Sequence, residues 1–150
     1  MSKKSALSIA AIFVLTVALT LAYSCWWSPG AKIKATVEGA SRALEKRDVV
    51  RMLEFISEDF DHQGRDKKTI SQDLKFFYEE FDRVTITLGE HRISVAGDTA
   101  WDSIKVVVVV SRQGEQGYLL GQFGNPAPLA VRLKKRGRWL ITGVDGMPGY

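Results

Sequence analysis

Phe81-Asp82-Arg83-Val84-Thr85-Ile86-Thr87-Leu88 marks a change of period. Up to Phe81 the apolar residues recur at helical spacing. From Val84 they alternate, so that Val84, Ile86 and Leu88 share one face of a strand. Upstream, Ile70, Leu74, Phe77 and Phe81 line one side of a helix, and Thr69 with Gln72 reads as its capping box. Before that helix, Glu58 to Arg65 is polar, with Gly64 as a breaker, and reads as loop or short strands. Asp48 is a suitable N-cap for a short helix through Val49, Leu53 and Ile56. Ile33, Val37, Ala40 and Leu44 predict an amphipathic helix over about Lys32 to Lys46.

Downstream the pattern stays alternating. Ile93 and Val95 share a face, but their parity differs from that of Val84 to Leu88, which predicts a bulge or bend near Gly89 to Arg92. Gly97-Asp98 is a turn. Ala100 to Ser111 reads as a long strand, and Val106 to Val110, apolar on both faces, suits a central position. Tyr118 to Phe123 is the next strand, broken by Gly124-Asn125-Pro126. Leu129, Val131 and Leu133 alternate in another, and a turn at Arg136-Gly137 leads to a last strand with Trp139 and Ile141. Helices followed by four or five antiparallel strands on short turns make an α+β domain, a curved sheet wrapped on helices. A bend in that sheet, with a long helix across it, implies a cone with an internal pocket.

This order resembles the nuclear transport factor 2-like superfamily, also called cystatin-like, which includes ketosteroid isomerases, polyketide cyclase-like proteins and scytalone dehydratases. The resemblance rests on the Asp48 helix start, the Phe60 to Gly64 segment before the third helix, and the closing hairpin. That hairpin reads Val131-Arg132-Leu133-Lys134-Lys135-Arg136-Gly137-Arg138-Trp139-Leu140-Ile141. The likeness covers roughly Ile33 to Val144. It implies the cone-shaped fold and, in many members, a dimer through the sheet, for which Trp101 and Arg132 are the candidate contacts. It does not imply one activity, because the fold hosts many.

The N-terminal residues read differently. After Lys3 and Lys4 no charged residue occurs until Lys32, and Ala6 to Tyr23 is apolar but for Ser8, Thr16 and Thr20. About 18 such residues would rise roughly 27 Å as a helix, close to the thickness of a bilayer core. Residues 1–27 are therefore expected to be a signal peptide or transmembrane anchor, meeting the membrane through residues 5–27, with 28–31 as linker and 32–150 as the folded domain. Three fates are open. An uncleaved anchor would place Trp26 and Trp27 at the far interface. Leu21-Ala22-Tyr23-Ser24-Cys25 loosely resembles a bacterial lipobox, which makes Cys25 a lipidation candidate. Cleavage after Ser24 alone would release the domain. Lys3 and Lys4 favour an N-terminus inside the cell, and Lys32 and Lys34 pull the other way. The expected setting is the cell envelope, with the domain in the periplasm or otherwise outside the cytoplasmic membrane.

About 120 residues after Trp27 suffice for one domain. The net charge of +4 falls nearer +2 without Lys3 and Lys4, too mild for a nucleic-acid binder. One cysteine allows no internal disulfide. His62 and His91 lack the spacing of paired metal ligands, so neither a metal nor another cofactor is expected.

Glu58, Asp59, Asp61 and His62 form the densest group of ionisable residues near the expected pocket mouth. The resemblance implies that a carboxylate in this region could remove a proton beside a carbonyl, with a buried donor assisting. Asp61 with His62, and Tyr78 or Asp102 opposite, are the catalytic candidates, set against a plain solvated turn. Lys134, Lys135, Arg136 and Arg138 could meet anionic lipid or an acidic partner, or be a solvated hairpin tip. The leading expectation is a non-catalytic envelope domain that binds a protein partner or a small hydrophobic ligand. The alternative is an exported isomerase, cyclase or dehydratase using acid–base chemistry in the cone.

Overall fold

The computed structural model describes residues 12–23 and 28–146. Residues 12–23 form helix α1, exposed along its length. It rises about 18 Å, and among the described residues no helix is long and apolar enough to cross a membrane. The spanning helix expected ahead of the domain is thus not shown. Residues 5–11 of that segment lie outside the described residues, as do Cys25, Trp26 and Trp27.

Helix α2 (Pro29–Glu45) starts where a linker was expected, because Ser28 caps it, accepting from the Ala31 amide, and Pro29 occupies the first turn. It buries Ile33, Val37, Ala40 and Ala43, while Leu44, predicted on the same face, is half-buried against the core. Helix α3 (Val49–Glu54) begins at the Asp48 cap, whose carboxylate accepts from Arg51 N at 2.9 Å. Helix α4 (Lys67–Glu80) starts earlier than the predicted capping box. Asp66 is the N-cap, and Thr69 is its donor through both amide and hydroxyl, which holds the Asp66 carboxyl below its ordinary range. An ionised Asp outcompetes the neutral Thr hydroxyl for this role, since its bonds are charge-assisted.

Six antiparallel strands follow, where four or five were expected: β1 (Arg83–Leu88), β2 (Arg92–Ala96), β3 (Thr99–Arg112), β4 (Glu115–Leu120), β5 (Ala127–Arg136) and β6 (Arg138–Asp145). The long strand β3 organises them. Along one edge it pairs first with β2 and then with β1; along the other it pairs with β5 and then with β4, and β6 completes the sheet beside β5. The interruption between β1 and β2 falls at Gly89 to His91, inside the predicted bend, where Gly89 N still donates to Lys105 O at 2.7 Å.

On β3, Ala100, Asp102, Ile104 and Val106 point inward. They pack with Ile33, Val37 and Ala40 of α2 and with Val131, Leu133, Trp139 and Ile141 of the closing hairpin. A smaller cluster, Tyr78, Val84 and Val110 with Phe77 and Phe81 against it, closes the other end of the domain. The inner face of the sheet is therefore filled largely by aliphatic side chains. One inward position on β3 is not apolar, and that is Asp102.

Candidate functional site

Asp102 is fully buried (0%) in the middle of the sheet, between its pairing neighbours Ile93 on β2 and Val131 on β5. A carboxylate taken out of water needs a partner, since unpaired burial of charge costs several kcal/mol. The break between β1 and β2 supplies it. His91, at the end of that break, lies with its side chain only 7% exposed, and its Nδ1 stands 2.6 Å from Asp102 Oδ2. The other ring nitrogen, Nε2, is 3.8 Å from Glu38 Oε1 on α2. Glu38 is also approached by Lys34 at 3.8 Å and Arg42 at 3.9 Å, one helical turn to either side. Asp102 Oδ1 has no hydrogen-bond partner.

An imidazole held by a buried carboxylate at one nitrogen presents a defined second nitrogen, the arrangement used for proton transfer. The pair is enclosed as it stands. Neither of two surface pockets, of about 470 and 320 Å³, is lined by His91 or Asp102. Among the described residues no group of three or more His, Cys, Asp or Glu side chains is arranged to hold a metal ion.

The other sequence candidates are engaged elsewhere. Asp61 is exposed; its carboxylate accepts from Gly64 N at 2.8 Å, and its own amide donates to Thr142 O at 3.0 Å. His62 is buried, and its backbone exchanges hydrogen bonds with Arg65 across a turn in which Gln63 and Gly64 have positive φ. Tyr78 donates its hydroxyl to Leu44 O at 2.8 Å, tying α4 to α2. Burial pushes its pKa up, with the nearby Arg47 guanidinium opposing. None of these three side chains bonds to Asp102. Of the candidates only Asp102 belongs to the buried cluster, and His91 and Glu38, its neighbours there, were not among them. The available signal was an acidic residue on the inward, otherwise apolar face of a strand.

The outer face of the sheet carries a second arrangement. Trp101 on β3 is 46% exposed and pairs across with Arg132 on β5, whose guanidinium carbon lies 5.9 Å from the ring centroid. Arg132 extends over Gly143, donates to Asp61 O at 3.2 Å, and places Nε 3.0 Å from Asp145 Oδ2. Glycine at 143 leaves the room that the guanidinium occupies. The next row along the sheet, Arg92, Ser103, Ala130 and Asp145, helps to line the pocket of about 470 Å³.

No family model matches the chain, and no curated protein matches it. Solved structures do. A nuclear transport factor 2-like superfamily protein from Salmonella enterica serovar Typhimurium superposes with a TM-score of 0.67 at 15% identity, covering 81% of this chain and 92% of that one. The domain has the nuclear transport factor 2-like fold. A candidate scytalone dehydratase from Novosphingobium aromaticivorans gives a TM-score of 0.65 at 12% identity, over 80% of this chain and 88% of that one. Bd1075 of Bdellovibrio bacteriovorus matches with a TM-score of 0.58 at 17% identity over 76% of this chain, which spans only 38% of its length. At these identities the nuclear transport factor 2-like fold is what is shared. The resemblance read from the helix order and closing hairpin therefore holds for architecture.

Proposed function

We propose that the chain is a membrane-held, non-catalytic binding or assembly domain of the cell envelope, which works outside the cytoplasmic membrane and engages its partner through the outer face of the sheet. The observation that carries this reading is the exposed Trp101 under Arg132 on the central strand. A large aromatic ring and an arginine, held rigid by the sheet, are the side chains that anchor protein interfaces. The apolar, uncharged run ahead of α2 supports the membrane-held part, and the closure of the core around Asp102 supports a role without turnover.

A second copy of the chain is the first partner to test, by sedimentation equilibrium of the full chain in density-matched detergent. Self-association should be weakened at least roughly tenfold by Trp101→Ala, the loss of one modest anchor. A chain that stays monomeric at high concentration, with Trp101→Ala indistinguishable, would remove the support for this face.

The second reading, an exported isomerase, cyclase or dehydratase, is favoured by one observation: Asp102 is buried with His91 on one oxygen and nothing on the other. In that reading Asp102 orients the ring and Nε2 moves the proton once Glu38 swings aside. Binding of a small enolisable ketone that shifts the NMR signals of the His91 ring, lost in Asp102→Asn, would favour the enzyme over the binding domain.

A further inference from the structure

The β5–β6 turn, the β2–β3 turn and the first half of α2 meet at one end of the domain. Thr36 Oγ1 donates to Trp139 O at 3.3 Å, and Lys135 N donates to Asp98 O at 2.7 Å. The other end of α2 lies at β1, where Glu45 accepts from Ile86 N at 2.8 Å. The 17 residues of α2 separate these ends by about 25 Å.

Basic side chains collect at the first end: Lys34, Lys134, Lys135, Arg136 and Arg138. Their acidic neighbours are fewer or already engaged. Asp59 is held by Arg136 at 2.7 Å, Glu38 is shared between Lys34 and Arg42, and Asp98 stands at the β2–β3 turn. Arg138 donates to Glu54 O at 2.7 Å. Lys134 and Lys135 form no ion pair among the described residues.

The same end carries the start of α2, and that start is tethered. Ser28 follows Tyr23, the last described residue of α1, by five positions. An extended chain spans at most about 3.6 Å per residue, so the first turn of α2 stays within about 18 Å of the end of α1. With the apolar segment in a bilayer, the basic end is the one held against it. We infer that this end of the domain docks on an anionic lipid surface, with Lys134 and Lys135 at the headgroup phosphates. The inference rests on the membrane-held reading and adds to it an orientation and a lipid class. Lysines without an ion-pair partner, Lys135 exposed and Lys134 half-buried, are attracted to a negative surface once they stand within a Debye length of it.

The test uses the full chain in nanodiscs of phosphatidylcholine, with or without phosphatidylglycerol, and a water-soluble lysine-acylating reagent read by mass spectrometry. Lys134 and Lys135 should react about three-fold or more slowly in the anionic discs, as expected for residues drawn to a charged surface. Lys46, at the far end of α2, should not change. High salt should abolish the difference. Equal labelling in both lipids by chains that have entered the discs overturns the docking and leaves the anchor standing. Failure to enter either kind of disc overturns the anchor and the docking together.

Discussion

At the scale of single residues, one exposed carboxylate is held well below its ordinary range. Asp59 is pulled down from 3.8 to about 2, first by the Ser57 hydroxyl that donates to it and then by Arg136 at 2.7 Å. Because its folded pKa lies below the unfolded value, its contribution to stability is complete above about pH 4 and is lost as the pH falls through about 2. The order of the two causes makes a prediction. In a side-chain NMR titration, Ser57→Ala should raise the Asp59 pKa more than Arg136→Ala does, and both should move it toward 3.8. Titration of the unaltered protein near 3.8 would mean that the Ser57–Asp59–Arg136 cluster does not persist in solution. Asp102 is the contrasting case. It is wholly buried, so its energetic weight rests on His91 rather than on solvent, and exchange for Ala would strand the imidazole in the core.

At the scale of elements, the loop between β4 and β5 depends on one glycine. Gly121 has φ +62°, and a Cβ there would stand 2.5 Å from Val106 O and 2.6 Å from Ala127 N, both backbone atoms of paired strands. Neither can yield as a flexible side chain could. Gly121→Ala should therefore destabilise the protein by about 2–4 kcal/mol, combining a left-handed backbone with overpacking. Urea unfolding monitored by near-UV circular dichroism measures it, and a change under about 0.5 kcal/mol, the scale of ordinary surface substitutions, would contradict the close approach. The elements themselves were largely legible, because the period of the apolar residues reports which face is buried. The change after Phe81, the Asp48 cap and the bend before Arg92 all follow from local chemistry. What periodicity does not report is the partner across a break. His91 lies in the short aperiodic stretch between β1 and β2, so its orientation is set by pairing to β3 and by α2, which no local pattern encodes. Asp61 and His62 looked like a site for the converse reason. The Asp61 carboxylate closes a tight turn by accepting from Gly64 N, and His62 is buried with its backbone bonded to Arg65.

At the scale of the whole molecule, the domain is asymmetric: a basic end joined to α1, a filled inner face, and an outer face carrying Trp101. The three fates of the N-terminus act differently on that asymmetry. An uncleaved anchor and a lipid on Cys25 both hold the start of α2 within a few residues of the bilayer, so both keep the basic end facing lipid. Cleavage without lipid frees the domain and leaves Lys134 and Lys135 without a fixed surface. Intact-mass measurement of the protein recovered from membranes separates the three. The expected result is the full 16.7 kDa chain, retained in the membrane fraction after an alkaline carbonate wash. A diacylated mass beginning at Cys25 would exchange the helical anchor for acyl chains and preserve the orientation. An unmodified mass beginning at Cys25, found in the soluble fraction, would remove the membrane from the function altogether. The Trp101 face would then carry the proposed interaction without a membrane, and self-association in free solution would be its test.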